Sequence, residues 1–110
     1  MPSLNRTFLM GNLTGDAQLD SRTGRFFGFT LAVDETWKDA QGKKRSRVDY
    51  LDCVLPPGPR FEALAPHLTR GRTVLVEGRL RKEAFDRDGS AATVIYVEVS
   101  RVEFVGQRGD

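Results

Sequence analysis

Leu51-Asp52-Cys53-Val54-Leu55-Pro56-Pro57-Gly58-Pro59-Arg60-Phe61-Glu62-Ala63-Leu64-Ala65-Pro66-His67-Leu68 changes its apolar period halfway along. Up to Leu55 the chain alternates: Leu51, Cys53 and Leu55 share one side of a strand, and Val48, Tyr50, Asp52 and Val54 share the other. Pro56, Pro57 and Pro59 then end it, because proline has no N–H to give to a ladder. Beyond them Phe61, Leu64, Ala65 and Leu68 recur at i, i+3, i+4 and i+7, the spacing of one face of a helix of about two to three turns. Pro66 lies inside that run, so the helix is brief or ends irregularly.

Everything outward from this stretch reads as strand. Asn5 to Leu13 is rich in strand formers and runs into Gly11-Asn12-Leu13-Thr14-Gly15, a turn-forming string. Arg25 to Asp34 alternates, with Phe27, Phe29, Leu31 and Val33 on a core side and Phe26, Gly28, Thr30 and Ala32 on the other. Thr36 to Lys44 is polar and turn-like, and Arg47 to Leu55 is a third strand. Thr73 to Phe85 is a fourth, with Gly78 as a bend or bulge. Asp86-Arg87-Asp88-Gly89-Ser90 is a hairpin tip, Ala92 to Val105 a fifth strand, and Gln107 to Asp110 a frayed end. Five strands with one short helix between the third and fourth is the order of the OB-fold, an all-β, partly open five-stranded barrel. Another small barrel or an α+β roll is the structural alternative; the position of the lone helix favours the OB-fold. The expected domain is residues 1–106, followed by a short C-terminal end, 107–110, with no acidic tail.

The 110 residues are 39% hydrophobic and 29% charged, which suits one globular domain and excludes a collagen-like, low-complexity or wholly disordered chain. A chain this long buries about two-thirds of its unfolded surface and needs no disulfide or metal to fold. No run of about 18 apolar residues is present, and the N-terminus lacks a signal peptide's apolar region, so no membrane partner is expected. Cys53 is the single cysteine, which fits a reducing cytosol. The formal charge is only +2, yet it is unevenly spread. Lys38, Lys43, Lys44, Arg45 and Arg47, opposed by Asp39, form a segment of +4; Arg70, Arg72, Arg79, Arg81 and Lys82, opposed by Glu77, form another of +4. The rest of the chain therefore carries −6, and a polyanion-binding face is compatible with that distribution, as is simple solvation of two turns.

Catalytic groups are sparse. His67 is the only histidine and lies beside Pro66, while Cys53 alternates with Leu51 and Leu55 as a buried small residue would. One Cys and one His make no zinc site of the usual spacing, and Asp86 and Asp88 are turn formers beside Gly89. Gly11, Gly15, Gly24 and Gly28 match neither a P-loop nor a dinucleotide fingerprint. No enzyme, metal or cofactor is expected.

Three strings narrow the reading. Asn5-Arg6-Thr7-Phe8-Leu9-Met10-Gly11-Asn12-Leu13-Thr14-Gly15-Asp16 resembles the first strand and turn of the bacterial single-stranded DNA-binding protein family. Phe29-Thr30-Leu31-Ala32-Val33-Asp34-Glu35-Thr36-Trp37-Lys38-Asp39 resembles its second strand and basic hairpin, and Leu68-Thr69-Arg70-Gly71-Arg72-Thr73-Val74-Leu75-Val76-Glu77-Gly78-Arg79-Leu80-Arg81 its helix exit and fourth strand. With Phe85 and the Asp-Gly turn, the resemblance covers nearly the whole chain in the right order.

The resemblance implies a protein that binds and protects single-stranded DNA in replication, recombination or repair. Bases would stack on aromatics and phosphates would follow a Lys/Arg track. Trp37, Tyr50 and Phe85 sit at stacking positions of the family; Trp37 precedes Lys38-Asp39 and lies outside the apolar alternation, and Tyr50 is on the side opposite Leu51 and Cys53. Phe26 is a further platform or an interface residue, whereas Phe27 and Phe29 belong to the core. Arg6, Lys38, Lys43, Lys44, Arg45, Arg47, Arg72, Arg79 and Arg81 are the phosphate-binding candidates, with Arg70 and Lys82 in the same segments; alternation puts Arg79 and Arg81 on one face and Lys82 on the other. The resemblance further implies a homo-oligomer, a dimer or a tetramer, working in the cytoplasm at the bacterial nucleoid or encoded by a phage or plasmid.

Several positions depart from the family. Tyr50-Leu51-Asp52 stands where an aromatic, a His and an Arg are usual, so a subunit contact and a phosphate contact are replaced. Pro56-Pro57-Gly58-Pro59 replaces an aromatic-Gly-Lys turn, and Asp20-Ser21-Arg22 a more basic loop. Fewer contacts per subunit are therefore expected. The family's acidic tail, which recruits other enzymes, is not seen after Gly106, so tail-recruited partners are not expected. The competing reading is an OB-fold interaction subunit of a replication or restart complex, with the same aromatics contacting protein.

Overall fold

In the computed structural model, residues 1–19 and 27–106 are described, all with side chains except Phe85 and Arg87. The elements are β1 (Thr7–Leu13), β2 (Gln18–Leu19), β3 (Phe27–Lys38), β4 (Lys44–Leu55), α1 (Pro59–Leu64), β5 (Thr73–Arg87) and β6 (Ser90–Phe104), with a 3-10 turn, Ala65–His67, continuing α1. Neighbours run β1-β5-β6-β4-β3, and β3 returns to β1 through Asn12↔Ala32 and Leu13↔Leu31. The result is a closed five-stranded barrel with one short helix, the OB-fold expected from the element order, and the anticipated gap in it is bridged by those two residue pairs. β2 is an extra two-residue strand, paired with β3 at Gln18↔Gly28 and Leu19↔Phe27, which alternation over so few residues could not reveal.

Two glycines let the barrel close. A Cβ on Gly11 would lie 2.3 Å from the carbonyl oxygen of Ala32, where β1 crosses close over β3. A Cβ on Gly78 would lie 2.3 Å from the Glu98 carbonyl oxygen, and the β5–β6 register shifts between Glu77 and Gly78. Gly78 is thus the bulge its lone place in an apolar strand predicts, and it lets β5 serve both β1 and the long hairpin with β6.

The core consists of Leu13, Phe29, Leu31, Cys53, Leu55, Ala65, Leu68, Val74, Val76, Val97 and Val99, with Phe27, Val33, Phe61 and Leu64 packed against it. Each large side chain withdrawn from water contributes about 1.5–3 kcal/mol. α1 begins with Pro59, whose missing N–H is no loss in a first turn. Pro66 cuts it short, so the helix is tighter and briefer than its apolar spacing suggested, yet Ala65 and Leu68 are buried as that spacing requires. The Ala17 N–H donates to the Leu68 carbonyl at 2.8 Å, tying the segment under the barrel end. No helix among the described residues is long and apolar enough to cross a membrane.

β3 and β4 run further than the polar composition of Thr36–Lys44 suggested. They pair without a break from Phe27↔Leu55 to Lys38↔Lys44, so that most of that segment is ribbon rather than turn. An exposed two-stranded ribbon has no buried face and leaves no apolar signal to read. At the other hairpin Asp88 and Gly89 form a two-residue turn with φ of 51° and 79°, the left-handed pair that Asp-Gly favours.

Candidate nucleic-acid interface

All strand pairs are antiparallel except β4–β6, which is parallel at Cys53↔Val97 and Val54↔Glu98. Parallel strands start at the same end, so the β3–β4 hairpin and the β5–β6 hairpin leave the barrel from the same end. The start of β1 is there too, since Thr7 pairs with Gly78. Arg6, Lys38, Lys43, Lys44, Arg45, Arg47, Arg79, Arg81 and Lys82 are thereby gathered around one end of the barrel. Arg70 and Arg72 are not. They precede β5 at the opposite end, and the strand between Arg72 and Arg79 spans roughly 20 Å. Arg72 instead lies over the Phe104 ring, 4.1 Å from its centroid.

Register divides the candidates between two sides of the ribbons. Tyr50 is opposite Ala32 on the outer side and is 67% exposed. Trp37, opposite Arg45, keeps the phase of Phe29, Leu31 and Val33, and so belongs to the core-side series rather than standing outside it. It is 44% exposed because β3 has by then left the barrel and has no second layer to cover it. Arg45 and Arg47 share its side, while Lys38 and Lys44 share that of Tyr50. On the second ribbon Arg79, Arg81 and the Phe85 position fall on the side of Glu98 and Tyr96, with Leu80, Lys82 and Ile95 on the other, as alternation predicted. Since Val54 pairs with Glu98, the outer sides of the two ribbons are continuous across β4 and β6. Phe26 lies outside the described residues, and only the strand position of Phe85, opposite Ala92, is described.

Acidic neighbours hold several of these cations. Arg79 meets Glu98 at 2.8 Å, and Arg81 reaches the same carboxylate at 3.7 Å. Arg45 meets Asp39 at 3.0 Å, Arg47 meets Asp49 at 3.1 Å, and Arg6 pairs with Glu77 through Nε at 3.2 Å. Exposed pairs of this kind contribute about 0–1 kcal/mol each, so a phosphate can displace the carboxylate at little cost. Lys38, Lys43 and Lys44 form no ion pair with another described residue.

Three residues the sequence did not mark as functional position this surface. Asp39 Oδ1 accepts the backbone N–H groups of Lys43 at 2.9 Å and Gln41 at 3.0 Å, clamping the hairpin tip. The Lys43 amide, with lesser help from Arg45 and Gln41, holds the Asp39 carboxyl below its usual range against a small opposing desolvation. Glu98 gathers Arg79 and Arg81, and Asn5 completes a ladder rung with Leu80, donating to its carbonyl at 2.8 Å and accepting its N–H at 2.9 Å. An Asp-x-x-Gly turn is a local signal for the first; the partners of Glu98 and Asn5 are set by pairing alone.

Catalytic groups do not converge here. Burial, with the Asp52 charge adding, pushes the Cys53 thiol up to about 12, so it stays protonated and inert. Among the described residues no three His, Cys, Asp or Glu side chains gather to hold a metal.

Comparison with known proteins accords with this surface. The Fusobacterium nucleatum single-stranded DNA-binding protein is 29% identical over 103 residues, covering 92% of this chain and 66% of the relative. The Staphylococcus aureus single-stranded DNA-binding protein 2 is 35% identical over 105 residues, covering 93% of this chain and 73% of the relative. A solved structure of a deletion variant of the Thermus aquaticus single-stranded DNA binding protein superposes with a TM-score of 0.81 at 27% identity, covering 96% of this chain and 52% of that one. The chain thus spans about two thirds of the Fusobacterium relative and about half of the Thermus chain. Residues 4–105 match the single-strand binding protein family, and with nearly the whole barrel inside that match the chain belongs to this family.

Proposed function

We infer that residues 1–106 bind single-stranded DNA, by base stacking on exposed aromatics and by phosphate contacts to the cations around them. The observation that carries this is the parallel β4–β6 pairing, which brings Trp37, Tyr50 and nine of the basic side chains to one barrel end. A base stacked on an aromatic ring contributes about 1–3 kcal/mol, and each neutralised phosphate releases a counterion. Lys38, Lys43 and Lys44 offer charge directly, while Arg6, Arg45, Arg47, Arg79 and Arg81 exchange an exposed carboxylate for a phosphate. Phe85 and Phe26 are further stacking positions in this reading. Arg72 adds to long-range attraction more than to contact. The function is binding and protection of exposed strands in replication, recombination or repair, and the buried Cys53 thiol accords with a cytoplasmic setting.

The active species in this reading is a homo-oligomer. On the β3 side, β1 is paired only at Asn12 and Leu13, so Thr7–Gly11 presents an open edge among the described residues. Phe8 and Met10 on that strand are 61% and 52% exposed. A second copy adding its own β1 would satisfy the edge and cover both side chains.

Titration with oligo-dT tests the function directly. Trp37 is the only tryptophan, so its emission should quench on binding, and affinity should fall steeply with salt. Unchanged emission together with no salt-sensitive binding would reject the reading.

A further inference from the structure

The outer side of β4 holds a group that no phosphate contact can use. Asp52 follows Tyr50 on the same side of the strand, about 7 Å along it, and both are exposed. Their cross-strand neighbours, Ala32 and Thr30, are small and leave the Tyr50 ring open. The Thr30 hydroxyl donates to Asp52 Oδ1 at 2.9 Å, which orients the carboxylate, and Oδ2 receives no hydrogen bond from another described residue. Beyond Asp52 the surface sinks into a cavity of about 370 Å³ whose lining includes Thr14, Gly15, Gly28 and Thr30. Gly28 keeps it open, since the nearest atom a Cβ there would meet is the Cys53 carbonyl oxygen at 3.6 Å. Asp16, also in the lining, is committed to the Arg70 backbone N–H at 2.8 Å.

A carboxylate beside a stacking ring repels phosphate and accepts N–H groups. Nucleobases differ in what they can offer it. Cytosine presents its N4 amine and adenine its N6 amine, whereas thymine and uracil present O4, an acceptor. Their one edge N–H, at N3, lies between two carbonyl oxygens that the carboxylate repels. We propose that Asp52 reads the edge of the base stacked on Tyr50 and favours bases that carry an exocyclic amine. Binding would remain independent of sequence order while preferring cytosine over uracil or thymine. This inference rests on the single-strand-binding reading above and assigns a selectivity to it.

Oligo-dC and oligo-dU of equal length isolate the effect, because the two bases differ only at the edge in question. The chain should bind oligo-dC about fivefold more tightly than oligo-dU at one salt concentration, the scale of a single base-edge hydrogen bond. Asp52→Asn keeps the shape and the bond from Thr30. It should bring the ratio close to one while strengthening binding to both oligomers through loss of a negative charge. Equal affinities for the two in the natural chain, or a ratio that persists in Asp52→Asn, would overturn the role of Asp52 and leave single-strand binding standing. Failure of both oligomers to bind would overturn the underlying reading and this one with it.

Discussion

Cys53 and Val97 face each other in parallel register, 1% and 3% exposed, at the one place where β4 touches β6. The contact has a consequence well beyond its own burial. Two hairpins far apart in sequence are made to leave the barrel in the same direction, with Trp37 near the tip of one and Arg79 and Arg81 along the other. A concave space between two cationic ribbons follows from that single pairing.

Trp37 and Tyr50 lie on opposite sides of one ribbon, so their contributions should be independent. Trp37→Ala and Tyr50→Ala should each weaken oligonucleotide binding by about 1–3 kcal/mol, and the double variant by the sum. Anisotropy titrations at fixed salt read the three values. Both residues are exposed, so the circular dichroism spectrum should not change.

Position on the barrel should separate the cations by their salt dependence. Replacing Lys43 and Lys44 by Gln should lower the slope of log affinity against log salt by about 2, one unit for each lost phosphate contact. Arg72→Gln should leave the slope unchanged, because Arg72 is stacked on Phe104 at the far end. A slope that drops as much for Arg72 as for the hairpin lysines would refute this division.

Gly11→Ala and Gly78→Ala test barrel closure. Each new methyl would meet a backbone carbonyl oxygen at 2.3 Å, a contact that only a backbone shift can relieve. A loss of about 2 kcal/mol or more is expected for either, seen as a lower urea midpoint. Gly15→Ala has open space around it and should change stability by less than about 0.5 kcal/mol.

The Cys53 thiol gives stability a dependence on alkaline pH. Its ordinary value is 9.0, and burial raises it to about 12, so the native state keeps a proton that the unfolded chain releases. The stabilisation is complete below pH 9.0 and declines as pH rises towards 12. Denaturation curves across that range should show the decline, and Cys53→Ser should shift it. Thiol reagents should label the native chain slowly at neutral pH and the urea-unfolded chain at once.

Much of the fold is legible in the residues themselves. The alternation of Leu51, Cys53 and Leu55, the helical spacing of Phe61 to Leu68, the bulge at Gly78 and the Asp88-Gly89 turn all depend on groups within a few positions of one another. Local sterics and period decide such features, so a reader of the chain can find them. The aromatics and the basic segments are equally visible, and the sides of β5 follow from simple alternation.

The sequence by itself determined the strands, their buried faces, the place of the helix and the residue types available for binding. Tertiary structure alone decided which of them meet. It moved Arg72 away from Arg79, put Trp37 in phase with the core yet beyond its cover, joined Arg79 and Arg81 to Glu98, and set Thr30 against Asp52. These relationships hang on the register of strands distant in sequence, and that register is settled only when the whole barrel closes and every inward side chain must fit at once.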